Sequence, residues 1–346
     1  MAREYPVPQV CLPSNGHLVF IRTGAIVRSL AFALALLVIA SASWAADPYP
    51  VRTIRWIVPW SAGGIADTQA RIIAEYLSRS LGQQVVVDNR AGATGMLGAA
   101  IVAKSKPDGY TLLYVSPNEQ AIAQAAGMKI SYDAEKDFTP ITQFLHRPAV
   151  LVTDPSLNVR TVAELAAWVK SKNGAVSYGT PGVAHFSHFV AEVFNRRMGI
   201  TGTAIPYKGE APMIVDLIGG QVAYGFGYAA TVDPSVRAGR LRALATTGKS
   251  RSPQLPDVPT FAELGMPELT MTSWNGMAGP AGLPPEIVQR LQSETSKLLR
   301  DPAINSRREF SDSEVIASTP EEFRAFLAAE RARWIKLVKQ TGITME

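Results

Sequence analysis

The stretch Ile54-Arg55-Trp56-Ile57-Val58-Pro59-Trp60-Ser61-Ala62-Gly63-Gly64-Ile65-Ala66-Asp67 changes its period halfway along. Up to Pro59 it is β-branched and aromatic, as a short buried strand is, and the proline ends the run. Beyond the two glycines, Ala66, Ala70, Ile73, Leu77 and Leu81 recur at the three- and four-residue spacing of one helix face, and Gly82 supplies a C-terminal stop. A strand that passes through a glycine turn into a helix is the first half of a β-α-β unit. The rhythm continues with a strand over 84–88, a helix from about 95 to 104, the turn Pro107-Asp108-Gly109 and a strand over 111–115. It resumes after residue 150 with helices over 162–172, 186–198 and 211–218 and strands over 175–179, 203–207, 222–226 and 241–246. This alternation predicts an α/β protein whose sheets are mainly parallel and flanked by helices.

A proline-rich return over 252–267 is followed by two helical patterns, 284–299 and 320–340. The second opens with Thr319-Pro320-Glu321-Glu322, a capping box with proline at the first helical position. A late helix pair after a complete second α/β unit predicts a chain that leaves its first lobe, builds the second and comes back. Residues 47–148 with 272–346 then form one lobe, and 149–271 the other.

Composition sets the class. The chain has 346 residues, 47% of them hydrophobic and 18% charged, which is a globular protein of about two domains. Its net charge of +5 is spread without any basic run of five or six, which argues against a nucleic-acid partner. Arg22 and Arg28 precede an apolar run, Leu30 to Ala40, too short for a comfortable membrane span. That run ends in Ser41-Ala42-Ser43-Trp44-Ala45, with small residues where signal peptidase needs them, so residues 1–45 are expected to be a removed leader and the mature protein to be periplasmic. Cys11, the one cysteine, precedes the apolar run and leaves with it. The mature chain therefore has no disulfide, no thiol nucleophile and no cysteine-based metal site.

Three strand-to-helix turns carry small residues: 59–67, then Asn89-Arg90-Ala91-Gly92-Ala93-Thr94-Gly95, then Gly179-Thr180-Pro181-Gly182-Val183. Glycine lets a ligand approach the backbone, and the free N–H groups of a helix start attract an anion. Each turn alone is equally well a plain helix cap. Together, two in one half and one in the other, they describe a cleft that clasps an anion from both sides. Gly92 to Gly98 lacks the spacing of a dinucleotide fingerprint, and neither a G-x-S-x-G elbow nor an H-E-x-x-H motif occurs. His185 and His188, three apart at a helix start, either share a metal or divide between ligand contact and packing. No catalytic residue, metal or cofactor is expected; the competing readings are an exported α/β hydrolase using Ser61 and His188, and a sensing domain that reports to a membrane kinase.

The segments Ile54 to Asp67, Val85 to Gly95, Ala103 to Leu113, Tyr132 to Pro140, Pro206 to Gly209, Leu217 to Val222 and Arg251 to Thr260 together resemble the Bug family, the extracytoplasmic receptors of tripartite tricarboxylate transporters. The resemblance runs from about residue 49 to the end. It implies a two-lobed, type II periplasmic-binding-protein fold that closes as a monomer on a small organic carboxylate and hands it unchanged to membrane permease subunits. Matched to the family, Ser61, Ala62, Gly63 and Gly64 with Ala93, Thr94 and Gly95 hold one carboxylate through backbone amides and waters, while Thr180, Gly182 and Val183 cover the other end. Asp67 matches the family's aspartate, which as a first-turn carboxylate also complements the helix dipole. Trp60 packs on the ligand's hydrocarbon part or into the core. Two departures bear on the ligand. Phe226-Gly227-Tyr228 lacks an aspartate common in relatives, which argues against an amino acid, and His185 with Phe186 replaces small residues. His185 and Tyr228 are thus expected to shape the far end of the pocket for a second carboxylate or an aromatic acid.

Overall fold

The computed structural model describes residues 49–341. The expected leader lies outside the described residues. Among them, no helix is long and apolar enough to cross a membrane.

Two sheets organise the chain. The first contains β1 (Ile54–Val58), β2 (Val85–Asn89), β3 (Thr111–Val115), β4 (Phe138–Pro148), β10 (Thr272–Pro280) and β11 (Glu314–Val315), in the order β2-β1-β3-β10-β4-β11. The second contains β5 (Val150–Thr153), β6 (Ser177–Thr180), β7 (Thr203–Pro206), β8 (Tyr224–Gly227) and β9 (Arg242–Thr246), in the order β7-β6-β8-β5-β9. Between them run α1 (Ile65–Leu81), α2 (Met96–Ala103), α3 (Val162–Ser171), α4 (Phe186–Met198), α5 (Glu210–Ile218), α6 (Ala229–Arg237), α7 (Pro285–Leu299) and α8 (Pro320–Thr341).

The expectation of mainly parallel sheets holds for only part of each. β1 pairs parallel with β2 and β3, and β6 with β7 and β8. By contrast β10 runs antiparallel to β3 and β4, β11 to β4, and β5 to β8 and β9. The reason is the crossover: β4 carries the chain out of the first sheet and β5 into the second, while β10 brings it back. β5 and β10, arriving from the other sheet, enter against the direction of the β-α-β strands, whereas β11 follows α7 within the first sheet and lies along the β4 edge.

Period-two alternation sorts the strand side chains. Ile54, Trp56 and Val58 join Ala70, Ile73 and Leu77 of α1 and Leu291 of α7 on one face, while Ile57, Leu113 and Val115 join Ala99 and Val102 of α2 on the other. In the second sheet Leu151, Tyr178, Tyr224 and Phe226 meet Phe189 and Phe194 of α4, and Val150 and Val152 meet Met213 and Leu217 of α5. The capping box forms: Glu322 N–H donates to Thr319 Oγ1 at 3.2 Å, and Thr319 N–H to Glu322 Oε2 at 2.8 Å. From there α8 runs past both sheets. Phe323 packs against Trp274 of β10, and Trp334 sits edge-on to Phe189 of α4 at 4.9 Å. Buried Glu330 accepts from the indoles of both Trp274 and Trp334, each at 3.0 Å.

Where the two crossing segments lie side by side, one threonine fastens them. Ala149 N–H donates to Thr247 Oγ1 at 2.8 Å, that hydroxyl donates to Met271 O at 2.6 Å, and the Thr247 main chain bonds both segments as well.

Candidate functional site

The cavity of interest opens where strands β1, β3, β4, β6 and β8 end. This is the position at which open α/β sheets place ligands, because loops and helix starts converge there. It encloses about 40 Å³ and is lined by Trp60, Ser61, Gly64, Ile65, Ala66, Ser116, Asn118, Arg147, Pro181, His185, Gly209, Glu210, Tyr228, Ser273 and Asn275.

The anchor end is the start of α1. Its first intrahelical bond runs from Thr68 N–H to Gly64 O, so the N–H groups of Ile65 and Ala66 have no helical acceptor and lie on the cavity wall. Gly64 has ordinary extended dihedrals, and a Cβ placed there would meet only Ser61 O, at 3.6 Å. Asp67 does not line the cavity; its carboxylate accepts from Gly63 N–H at 2.9 Å and pairs with Arg71 at 2.9 Å. Burial works to raise its pKa, and the bonds from Arg71, Gly63 and Asn89 outweigh that and hold it below the usual carboxylate value. With the Gly63 amide engaged by Asp67, the free amides of the helix start are those two and three residues further on, at Ile65 and Ala66.

Of the residues singled out from the sequence, the fold brings Trp60, Ser61, Gly64, His185 and Tyr228 to the cavity wall. Ala62, Gly63, Asp67, Ala93, Thr94, Gly95, Thr180, Gly182 and Val183 lie around it without lining it. Several of these join the two halves of the cleft. Thr94 Oγ1 donates to Val183 O, and Ser61 Oγ donates to Lys208 O at 2.7 Å. Phe186 N–H donates to Asn118 Oδ1 at 2.7 Å, and the Trp60 and His185 rings meet edge to face at 5.2 Å. The fit is close: a Cβ on Gly209, whose φ is +122°, would fall 2.6 Å from Ser61 Oγ, and one on Gly182 would fall 2.9 Å from Thr94 Oγ1.

His185 caps α4: its Nδ1 accepts from Ser187 N–H at 3.0 Å, which leaves the ring proton on Nε2. Burial, with a smaller contribution from His188, pushes its pKa down to about 3, so the ring is a neutral donor and not a cation. His188 lies outside the cavity and accepts from Ala184 N–H at 3.3 Å. Ser61 and His188 therefore have different partners and form no nucleophile–base pair. Among the described residues no group of histidine, cysteine and carboxylate side chains is arranged to hold a metal ion.

Sequence reasoning passed over the charged groups of the cleft. Glu210 follows the Pro206-Tyr207-Lys208-Gly209 segment directly; it is buried, accepts from Tyr228 N–H and from Thr231 Oγ1 at 2.8 Å, and burial pushes its pKa up to about 7. Glu119, behind the Ser116 wall, accepts from the Ser116 main chain and from its hydroxyl at 2.6 Å, and burial raises it to about 7 as well. Arg147 is 3% exposed. For Glu210 the available signal was a charge directly ahead of the predicted helix over 211–218; no element was predicted around Arg147.

A crevice between two α/β lobes, lined by a helix start and by buried polar side chains, defines a two-lobed solute-binding protein. The family of tripartite tricarboxylate transporter receptors matches residues 69–343. The chain is 38% identical over 302 residues to protein BugT of Bordetella pertussis, covering 87% of this chain and 93% of that one. Among solved structures it is similar to periplasmic binding protein BugD, with a TM-score of 0.80 and 31% identity over 86% of this chain and 100% of that one. It is also similar to R. palustris Rpa4515 with adipate, with a TM-score of 0.82 and 35% identity over 86% and 99%. The chain belongs to the tripartite tricarboxylate transporter receptor family.

Proposed function

We propose that the protein is an exported, monomeric receptor that captures a small organic carboxylate in the cleft and passes it unchanged to membrane permease subunits. Its leader is residues 1–45, and it works in the periplasm. Residues 47–148 with 272–346 move as one lobe against 149–271, about the crossings at Ala149 and Met271. The observation that carries this reading is the pair of unaccepted amides at Ile65 and Ala66, residues that line a cavity bridged by hydrogen bonds from both sides. A helix N-terminus favours a carboxylate through both its donors and its dipole. The adipate bound to the R. palustris relative is an acid of this class.

Titration calorimetry with a panel of aliphatic and aromatic carboxylates tests it. One or more should bind with a 1:1 stoichiometry and be recovered chemically unchanged. A Cβ at position 64 meets only Ser61 O, at 3.6 Å, so Gly64→Val should fold, and its branched side chain beside the anchor amides should lower binding of every acid by tenfold or more. Full binding by Gly64→Val, or conversion of the ligand, would defeat the reading.

A further inference from the structure

Arg147 is the next-to-last residue of β4, beside the crossing into the second sheet, and its guanidinium lies in the floor of the cleft. One N–H donates to Gln69 Oε1. Gln69 is itself fixed: the same oxygen accepts from the Tyr114 hydroxyl at 2.9 Å, and its amide donates to Glu309 O at 2.6 Å. The Tyr228 ring lies 5.0 Å from the guanidinium carbon. Yet among the described residues Arg147 forms no ion pair, Glu210 and Asp312 acting on it only at longer range, and its Nε has no partner at all. The two acids that face it at longer range, Glu210 and Asp312, are engaged elsewhere, Glu210 by Tyr228 N–H and Thr231 and Asp312 by Ser252.

A buried guanidinium is costly unless an anion meets it, and its planar fork matches a carboxylate through two parallel N–H donors. Here the protein holds the cation in place through Gln69 and Tyr114 and leaves it without a carboxylate partner, its Nε without any hydrogen bond. We propose that Arg147 is the specificity residue of the cleft, pairing with a second acid group of the ligand while the first sits on the Ile65 and Ala66 amides. The proposal rests on the carboxylate reading of the cleft and narrows the ligand to a diacid. The cavity is small, about 40 Å³, so the two acid groups are close together and a short-chain diacid fits best.

Succinate, monomethyl succinate, butyrate and alanine are titrated into the wild-type protein, Arg147→Met and Arg147→Lys, each checked for folding by circular dichroism. In the wild type succinate should bind at least tenfold more tightly than its monomethyl ester, which has the same chain but one charge fewer. Arg147→Met should collapse the succinate-to-butyrate affinity ratio by tenfold or more, and Arg147→Lys, which keeps the charge without the fork, should fall between. Succinate and its ester binding within threefold of each other would overturn the proposal, and that comparison needs no variant. So would a ratio unchanged in a folded Arg147→Met, or alanine binding more tightly than succinate, which would assign Glu210 to an ammonium group. Failure of the carboxylate reading itself looks different: the wild type binds none of the acids, and Gly64→Val changes nothing.

Discussion

His185 illustrates how one residue carries both a structural and a pH consequence. Its ring is buried beside Trp60, caps α4 and remains neutral down to about pH 3. The unfolded chain takes up a proton there near pH 6.5, so below that value the unfolded state binds a proton that the folded state refuses. Stability from this group is present above pH 6.5 and is lost as the pH falls toward 3, by up to about 1.4 kcal/mol per pH unit. His146 and His188 are also held down by burial and share the acid slope. His185→Asn keeps a capping oxygen for Ser187 N–H but has nothing to protonate. Urea unfolding between pH 7 and 4.5 should show a shallower loss of stability in the variant; parallel slopes would mean that His185 titrates normally. The same residue was legible in the sequence as a pocket residue, because it sits at the start of a recognisable helix. Arg147 was not, since its place in the floor depends on how β4 crosses between sheets, and no local pattern encodes that crossing.

The strands that cross between lobes escaped the sequence reading, and most of the long helices did not, for a physical reason. α1, α4 and α8 bury one face only, so their periodicity shows. β10 is buried along most of its length and carries Asn275, Gly276 and Gly279, which look like loop residues. The structure explains Gly276: a Cβ there would lie 2.6 Å from the Phe323 ring and 2.7 Å from Thr142 O. The glycine answers to α8 packing over the sheet, a contact made by residues nearly fifty positions away. α6 was likewise hidden by Pro234 inside it. At this scale the proposed hinge also makes a prediction. Thr247 Oγ1 is fully buried and links Ala149 N–H to Met271 O. Thr247→Val is nearly the same shape but strands one donor and one acceptor, and each buried orphan costs about 1–3 kcal/mol. Chemical denaturation should register a loss of about 2 kcal/mol or more, with the cleft loops unchanged; a loss under about 0.5 kcal/mol would show that the hinge is held by other contacts.

For the whole molecule the question is what holds the cleft closed. Ser61 to Lys208, Thr94 to Val183 and Asn118 to Phe186 are hydrogen bonds across the cleft, Gln254 adds bonds to Arg308 and Ser311, and α8 adds Trp334 packed on α4. Each such bond is worth about 1 kcal/mol net, so together they bias the two lobes toward closure before any ligand is counted. A ligand that binds the closed form alone then has an apparent affinity scaled by the fraction closed. Thr94 separates this effect from direct contact, because it lies outside the cavity and its hydroxyl reaches across to Val183 O. Thr94 holds a left-handed backbone conformation, φ 52°, that a β-branched residue adopts only under constraint. Thr94→Val leaves that constraint and the side-chain shape alone and removes only the bond. About 1 kcal/mol corresponds to roughly a fivefold change, so the apparent affinity should fall about fivefold for every acid alike, with faster release and an unchanged ranking. Small-angle scattering of the ligand-free variant should show a larger radius of gyration than the wild type. A ranking that changes, with the radius unchanged, would instead return Thr94 to the role the sequence suggested, a direct holder of the ligand's carboxylate.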